Sequence, residues 1–431
     1  VLSNTSAPLR ALVRTGGIWY CGVGIIPGTA RFDTQEEKEL KTTNKRLQRL
    51  RPYPFAELNT ARDAAIKAGM DVIDMGVGNP DMRPHPAILE EFESALEDEQ
   101  HQNHRYPPFH GIPEFRAAIA DWYKTRFNVN IDSETEVLPL VGSKEGIAKF
   151  FLSYMDPGEV ALVTSPCYPA YLGAVAVSDG TLFEVEINPA NGFHPDLESI
   201  PGDVLARAEV LLINYPNNPT GAVETRDLYE RVLAFARKHD LLVVSDIAYA
   251  ELNLDPGYRS LSFLEISGAK ERAIEFYSFS KTYSMPGWRL GFVVGNSIVV
   301  RNLLNIKTNM DFGVFMAMQR AGGRLLEAGD ELIQPTRDIY RKRRDAVMAG
   351  LDKLGMKASA PLATLYVWAS LPEGYESSMD FAKQVLSKTG VVFAPGKGFG
   401  TYGEGFVRIS LIEDEARITE AVDRIAGSGL V

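Results

Sequence analysis

"YSFSKTYSMPGWRLGF", Tyr277–Phe292, places Lys281 and Arg289 among serines, a proline and glycines, just past the apolar run of residues 272–280. That run reads as a strand buried on both faces of a mostly parallel sheet. A cationic amine therefore stands at the carboxyl end of a buried strand, and in open α/β sheets ligands sit beyond such ends. The other apolar runs carry polar groups at the same place. "VLPLVG", residues 137–142, leads into Ser143 and Lys144 at the start of a helical pattern. Free backbone N–H groups, a hydroxyl and an ammonium make that corner an anion site. "VTSP", residues 163–166, is followed by Cys167, Tyr168 and Pro169, which offer an aromatic ring. "LLIN", residues 211–214, runs into "YPNNPTG", a turn presenting Asn217 and Asn218. "LLVVSD", residues 241–246, ends in Asp246, with Tyr249 one helical turn on.

Between these runs lie amphipathic segments such as "IPEFRAAIADWYKTRF", residues 112–127, and "TRDLYERVLAFARKHD", residues 225–240. The alternation predicts an α/β fold, a mostly parallel sheet with helices on both faces. After about residue 325 the texture changes. A long helical stretch at 335–354, "ATLYVWASL" at 363–371 and "GFVRISLI" at 405–412 predict a smaller α+β domain. We expect residues 46–84 to join it, 85–325 to form the large domain, 326–431 to complete the small one, and 1–45 to be an N-terminal arm or extension. Residues 36–49 read as a charged helix. The 431-residue length suits two or three domains at ~100–200 residues each.

Each strand-end feature has a plain explanation alone: a helix cap, a turn, a solvated lysine. Five in a row specify an anion clamp, a stacking ring, amide donors, a carboxylate and an amine. An aromatic, phosphorylated cofactor with a basic nitrogen and an aldehyde would use all of them. The chain resembles the pyridoxal-phosphate enzymes of fold type I, the class I/II aspartate-aminotransferase-like group. The resemblance covers roughly residues 46–430, and the stretch from Ser278 to Gly291 matches the group's lysine signature. "GSKEG" (142–146), "SPCYPAY" (165–171) and the opening stretch are most similar to those of LL-diaminopimelate and alanine aminotransferases.

The resemblance implies roles. Lys281 would form the Schiff base with pyridoxal 5'-phosphate and then act as base; a lysine does so when burial and cationic neighbours depress its pKa. Asp246 would pair with the pyridine nitrogen, so that the ring acts as an electron sink. Asn218 and Tyr249 would bond the phenolic oxygen, and Tyr168 would stack on the ring. Ser143, Lys144, Ser278, Ser280 and Arg289 would cradle the phosphate, the arginine by its planar fork. Arg408 would grip the substrate α-carboxylate. Gly78 in "MGVGNPD" would leave room beside substrate, and Tyr53 in "RPYPF" would touch it. Tyr106 in "RYPPFHG" would reach a neighbouring subunit's phosphate, which implies a homodimer, with Phe312 of "NMDFGVF" at the same interface.

The implied reaction is amino transfer between an L-amino acid and a 2-oxo acid by a ping-pong cycle, glutamate and 2-oxoglutarate paired with alanine or an LL-diaminopimelate-like donor. Two other readings remain: a C–S β-lyase using the same lysine, and a non-catalytic cofactor-binding regulator. Net charge of -11 argues against nucleic acid as a partner. No apolar run approaches the ~20 residues of a membrane span. Two cysteines, Cys21 and Cys167, make no disulfide framework and suit a reducing, cytoplasmic setting. Arg10 and Arg14 before "GGIWYCGVGIIPGTA" mimic a signal peptide only loosely, the run being short and glycine-rich. His101, His104 and His110 lack a completing carboxylate or cysteine set, so no metal is expected. Arg341–Arg344 read as a solvated helix face.

Overall fold

Seven strands carry the site: β2 (Val137–Leu140), β3 (Val160–Ser165), β4 (Thr181–Glu186), β5 (Ala208–Asn214), β6 (Leu242–Asp246), β7 (Ala273–Ser278) and β8 (Gly291–Gly295). They come after β1, the short strand Ile73–Asp74, and lie side by side in the order β2-β8-β7-β6-β5-β3-β4. Strands β4, β3, β5, β6 and β7 run parallel, and β8 is antiparallel to both its neighbours. The computed structural model describes residues 40, 42–50, 52 and 54–431. Tyr53, Cys21, Arg10 and Arg14 lie outside the described residues. Residues Lys45–Val431 form one compact unit.

Period-two alternation builds a core on each face of this sheet. Leu162, Leu211, Ile213 and Val243 face one core, shared with helices Pro113–Phe127, Arg226–Lys238 and Met316–Ala328. Ala161, Val163, Val210, Leu212 and Val244 face the other, shared with helices Ser143–Tyr154, Ala170–Val177 and Ser297–Thr308. Register aligns the carboxyl ends: Asn214 is opposite Asp246, and Asp246 opposite Phe276. Because β8 returns antiparallel, Ser278 faces Gly291, and Arg289 comes back to the edge that Lys281 leaves.

The later chain adds β9 (Tyr366–Ser370), β10 (Val391–Val392), β11 (Ala394–Pro395) and β12 (Phe406–Ser410). Strands β11, β12 and β9 form an antiparallel sheet, and β1 pairs in parallel with β10. A third core gathers Ile73 and Met75 with Tyr340, Val347 and Leu351 of the long helix Gln334–Leu354 and Ile418 of the helix Glu415–Ala426. Ala248 and Tyr249, just past β6, pack into that core as well. Among the described residues no helix is long and apolar enough to cross a membrane.

Two expectations are corrected. Residues 42–44 are not helical, and the charged helix is confined to Lys45–Arg49 among the described residues. The cluster Arg341–Arg344 is a solvated face only at Lys342, which is exposed. Arg343 is buried and forks onto Asp81 at 2.8 and 2.9 Å while also donating to the Leu411 carbonyl at 3.0 Å. Arg341 donates to the Leu254 carbonyl and Arg344 to that of Pro361. The helix spans two packed surfaces, and its cations satisfy carbonyls at the seam. Asp81→Ala would strand the Arg343 guanidinium. We expect a loss of roughly 2–3 kcal/mol in urea unfolding, below the ~3–5 for a wholly buried pair, because Asp81 keeps some solvent contact. An unchanged midpoint would show the fork to be neutral.

Candidate active site

Lys281 lies in the single turn Phe279–Thr282 just past β7, where the Ser278 hydroxyl accepts the Ser280 N–H at 3.3 Å. Its Nζ donates to the Gly78 carbonyl at 2.6 Å. Desolvation lowers the amine's pKa below the ordinary lysine value; Tyr366 works against this, and the charges of Arg408 and Arg289 add to it. The shift is toward the neutral, nucleophilic form of the amine.

Asp246 ends β6 and is buried. It accepts from the Tyr171 hydroxyl at 2.6 Å and from the Ala248 N–H at 3.1 Å. Both donors are neutral, so burial pushes the carboxyl up to about 6 despite them. Asn214, its register partner, donates to the Asp246 carbonyl at 2.7 Å and accepts the Asn218 N–H at 2.9 Å. The turn after β5 is thereby locked to the end of β6.

The anion corner forms where β2 meets its helix. Gly142, with φ +77°, precedes Ser143 at the first helical position, and Lys144 comes next with its side chain exposed. A Cβ on Gly142 would stand 2.2 Å from Arg289 Nη2, so only glycine admits that guanidinium. Arg289 itself adopts φ +57° and donates to the Pro286 carbonyl at 2.8 Å and the Ser280 hydroxyl at 3.4 Å. Gly291 plays the matching part opposite, since a Cβ there would lie 2.9 Å from Ser143 N. Helix N–H groups, hydroxyls and a guanidinium thus meet at one point. Behind it, Glu145 receives Lys149 at 2.6 Å and Lys307 at 3.0 Å. Lys149 and Lys307 also hold Asp311, which ties residues 309–315 to the same helix.

On β12, Arg408 donates to Asn218 Oδ1 at 2.9 Å and to the Gly76 carbonyl at 2.8 Å. Its guanidinium lies over the Tyr366 ring at 4.1 Å and the Phe399 ring at 4.7 Å. Its buried Nε has no hydrogen-bond partner among the described residues. Tyr249 shares a hydroxyl–hydroxyl bond of 3.1 Å with Tyr366, and burial raises its pKa well above the usual tyrosine range. Tyr168 is half-buried and meets Tyr171 edge-on at 5.5 Å.

The structure thus brings together Lys281, Asp246, Asn218, Tyr249, Gly78 and Arg408, with Ser143, Ser278, Ser280 and Arg289 forming the anion corner. Tyr106 stands apart: it is 78% exposed and its ring packs on Phe312 at 4.4 Å. His101, His104 and His110 each have their own partner, in Asp98, the Leu96 carbonyl and the Val137 carbonyl. Sequence reasoning missed Tyr171, Tyr366 and Phe399. Tyr171 carried a signal, three residues after Tyr168 and so on the same side of a helical turn; the other two sit in stretches that read as ordinary core.

A phosphorylated pyridine aldehyde fits this donor set. The Asp246 carboxyl has two neutral donors and no cation bonded to it, which a protonated ring nitrogen supplies. The first N–H groups of the helix at Ser143, the Ser280 hydroxyl and the Arg289 guanidinium are a donor set that suits a phosphate.

A family model described as aminotransferase class I and II matches residues 70–425. An LL-diaminopimelate aminotransferase of Syntrophobacter fumaroxidans is 45% identical over 381 residues, 88% of this chain and 97% of that one. The solved apo structure of BacF from Bacillus has a TM-score of 0.86 at 35% identity, covering 90% of this chain and 98% of its own. A probable N-succinyldiaminopimelate aminotransferase from Thermus thermophilus has a TM-score of 0.81 at 33% identity, over 87% of this chain and 100% of its own.

The raised Asp246 pKa has a pH signature in cofactor-free protein. Its neutral form is favoured on folding, so this contribution is whole below the ordinary 3.8 and is lost as pH rises through about 6. At ~1.4 kcal/mol per tenfold the loss approaches about 3 kcal/mol. Glu275, buried on β7 and raised to about 7, titrates nearby, so the comparison is with Asp246→Asn. Wild type should lose stability relative to that variant between pH 4 and 6; parallel unfolding curves would refute the assignment.

Proposed function

The chain belongs to the class I and II aminotransferase family, and we propose that it transfers the amino group of LL-diaminopimelate or a close analogue to and from 2-oxoglutarate. It is an aminotransferase, and its cofactor is pyridoxal 5'-phosphate. One observation carries the site assignment: a half-buried, desolvated amine and a buried carboxyl stand at neighbouring strand ends with neutral donors around the acid. The names of the 45%-identical relatives support the substrate class.

When bound, the cofactor supplies an aldehyde and an electron-withdrawing ring that acidifies the α-hydrogen of an amino acid joined to it. Asp246 would hold the proton on the ring nitrogen. Ser143, Ser278, Ser280 and Arg289 would bind the phosphate and fix the ring's position, with the Lys144 backbone N–H in the same helical turn. Tyr168 would cover the ring face, and Asn218 and Tyr249 would bond its oxygen. Arg408 would bind the α-carboxylate, exchanging its bond to Asn218 for the substrate's two oxygens. Lys281 Nζ, its pKa lowered by desolvation, would take the proton from Cα and pass it to the former aldehyde carbon, and would carry a proton the opposite way in the other half of the cycle. Gly78 would let substrate pass close to the main chain. An aliphatic chain joins two such α-amino acid ends in diaminopimelate, and either end presents the carboxylate that Arg408 suits.

We read residues 85–325 as the cofactor-binding domain and 46–84 with 326–431 as the smaller one. We also read the working form as a cytoplasmic homodimer. Tyr106, Phe109, Met310, Phe312 and Phe315 form an exposed apolar patch of the kind that marks contact surfaces. On this reading Tyr106 would reach the partner's phosphate site.

The test is the half-reaction without any oxo acid. LL-diaminopimelate and glutamate should bleach the visible band of the wild type, alanine much less, and Lys281→Ala should lose turnover by at least about 10³-fold. Pyruvate released from cystathionine with the band intact would favour a β-lyase instead; binding without bleaching would favour a regulator. Phe312→Glu should shift the sedimenting species from dimer to monomer, and a dimer that persists would place the interface elsewhere.

A further inference from the structure

Tyr366 has no part in the roles assigned so far. It opens β9 and is buried, its hydroxyl 3.1 Å from the Tyr249 hydroxyl and 3.4 Å from the Gly78 carbonyl. That carbonyl is the one that receives Lys281 Nζ. The ring of Tyr366 is the nearer of the two under the Arg408 guanidinium. Gly78 keeps the position open, because a Cβ there would lie 2.3 Å from the Tyr366 oxygen. One side chain thus touches the carboxylate clamp, the phenol expected at the cofactor oxygen, and the acceptor of the lysine.

A core aromatic needs no hydroxyl, and a buried hydroxyl is costly unless it is bonded. Here it sits among the reacting groups. Burial alone would raise the Tyr366 phenol, yet the charges of Lys281 and Arg408, with the Tyr249 bond, hold it below the usual tyrosine value.

We propose that Tyr366 is a positioning residue for amino transfer, its ring setting the Arg408 guanidinium for the substrate carboxylate and its hydroxyl fixing the Tyr249 phenol. The proposal rests on the aminotransferase reading and adds a residue to it. The two tasks separate chemically: Tyr366→Phe keeps the ring and removes the hydroxyl, and Tyr366→Leu removes both.

Wild-type turnover is measured first, so that failure of amino transfer itself shows there and not in the variants. Succinate, a dicarboxylate that cannot react, is then titrated by calorimetry into cofactor-free protein. Tyr366→Phe should bind it within about twofold of wild type and Tyr366→Leu about 10-fold more weakly, as expected for a lost cation–π platform. In loaded enzyme, Tyr366→Phe should lower kcat about 3–10-fold with little change in KM and displace the pH transition of the visible band. Tyr366→Leu should raise KM for every amino acid. Equal succinate affinity in wild type and Tyr366→Leu would overturn the ring's role. An unmoved kcat and band in Tyr366→Phe would overturn the hydroxyl's. Should the leucine variant not fold, Tyr366→Phe, Tyr249→Phe and the double variant decide: non-additive losses in kcat support the coupling, and additive ones refute it.

Discussion

Desolvation is the constraint on which this structure turns. The strand ends hold a half-buried amine, Lys281, and a buried carboxyl, Asp246, and desolvation moves each toward its neutral form. Neither sits in an ion pair that would hold its charge: the amine's bonded acceptor is a backbone carbonyl and the acid's donors are a phenol and a backbone amide. Such groups cost stability on their own and become useful when a cofactor brings the missing partners. The surrounding architecture sets one anion corner and one carboxylate clamp beside that row.

Two scaffolds meet there. The seven-stranded sheet supplies Lys281, Asp246, Asn218 and the anion corner from the ends of its own strands. The antiparallel sheet of β9, β11 and β12 supplies Arg408 and Tyr366, and the segment after β1 supplies Gly76 and Gly78. Arg343, forked onto Asp81, holds that segment to the long helix Gln334–Leu354. Arg408 touches both scaffolds through Asn218 and Gly76, so the clamp reports their separation directly.

Much of this was legible in the sequence. Buried parallel strands read as apolar runs, and the residues just past each run line the crevice; Lys281, Asp246 and Ser143 could be found that way. Other features depended on contacts that no run reveals. The helix Met316–Ala328 carries paired glycines, poor helix formers that tertiary packing demands: a Cβ on Gly322 would lie 2.6 Å from Leu290. Arg343 looked solvated because its partner is in a distant segment. Tyr366 read as one more residue of an alternating strand, and only the fold shows its hydroxyl among the reacting groups.

The pairing of β1 with β10 has a consequence for how the protein is made. Ile73 and Val391 are neighbours in the finished sheet and lie near opposite ends of the described chain. At ~5–20 residues per second, synthesis leaves the early segment without its partner for tens of seconds. Throughout that interval Gly76 has no Arg408 to meet, and Gly78 gains Lys281 well before Tyr366. The seven strands of the large sheet are complete much sooner. A nascent chain therefore has its anion corner before it has its carboxylate clamp, and β1 is an unpaired edge on the ribosome until the last strands emerge.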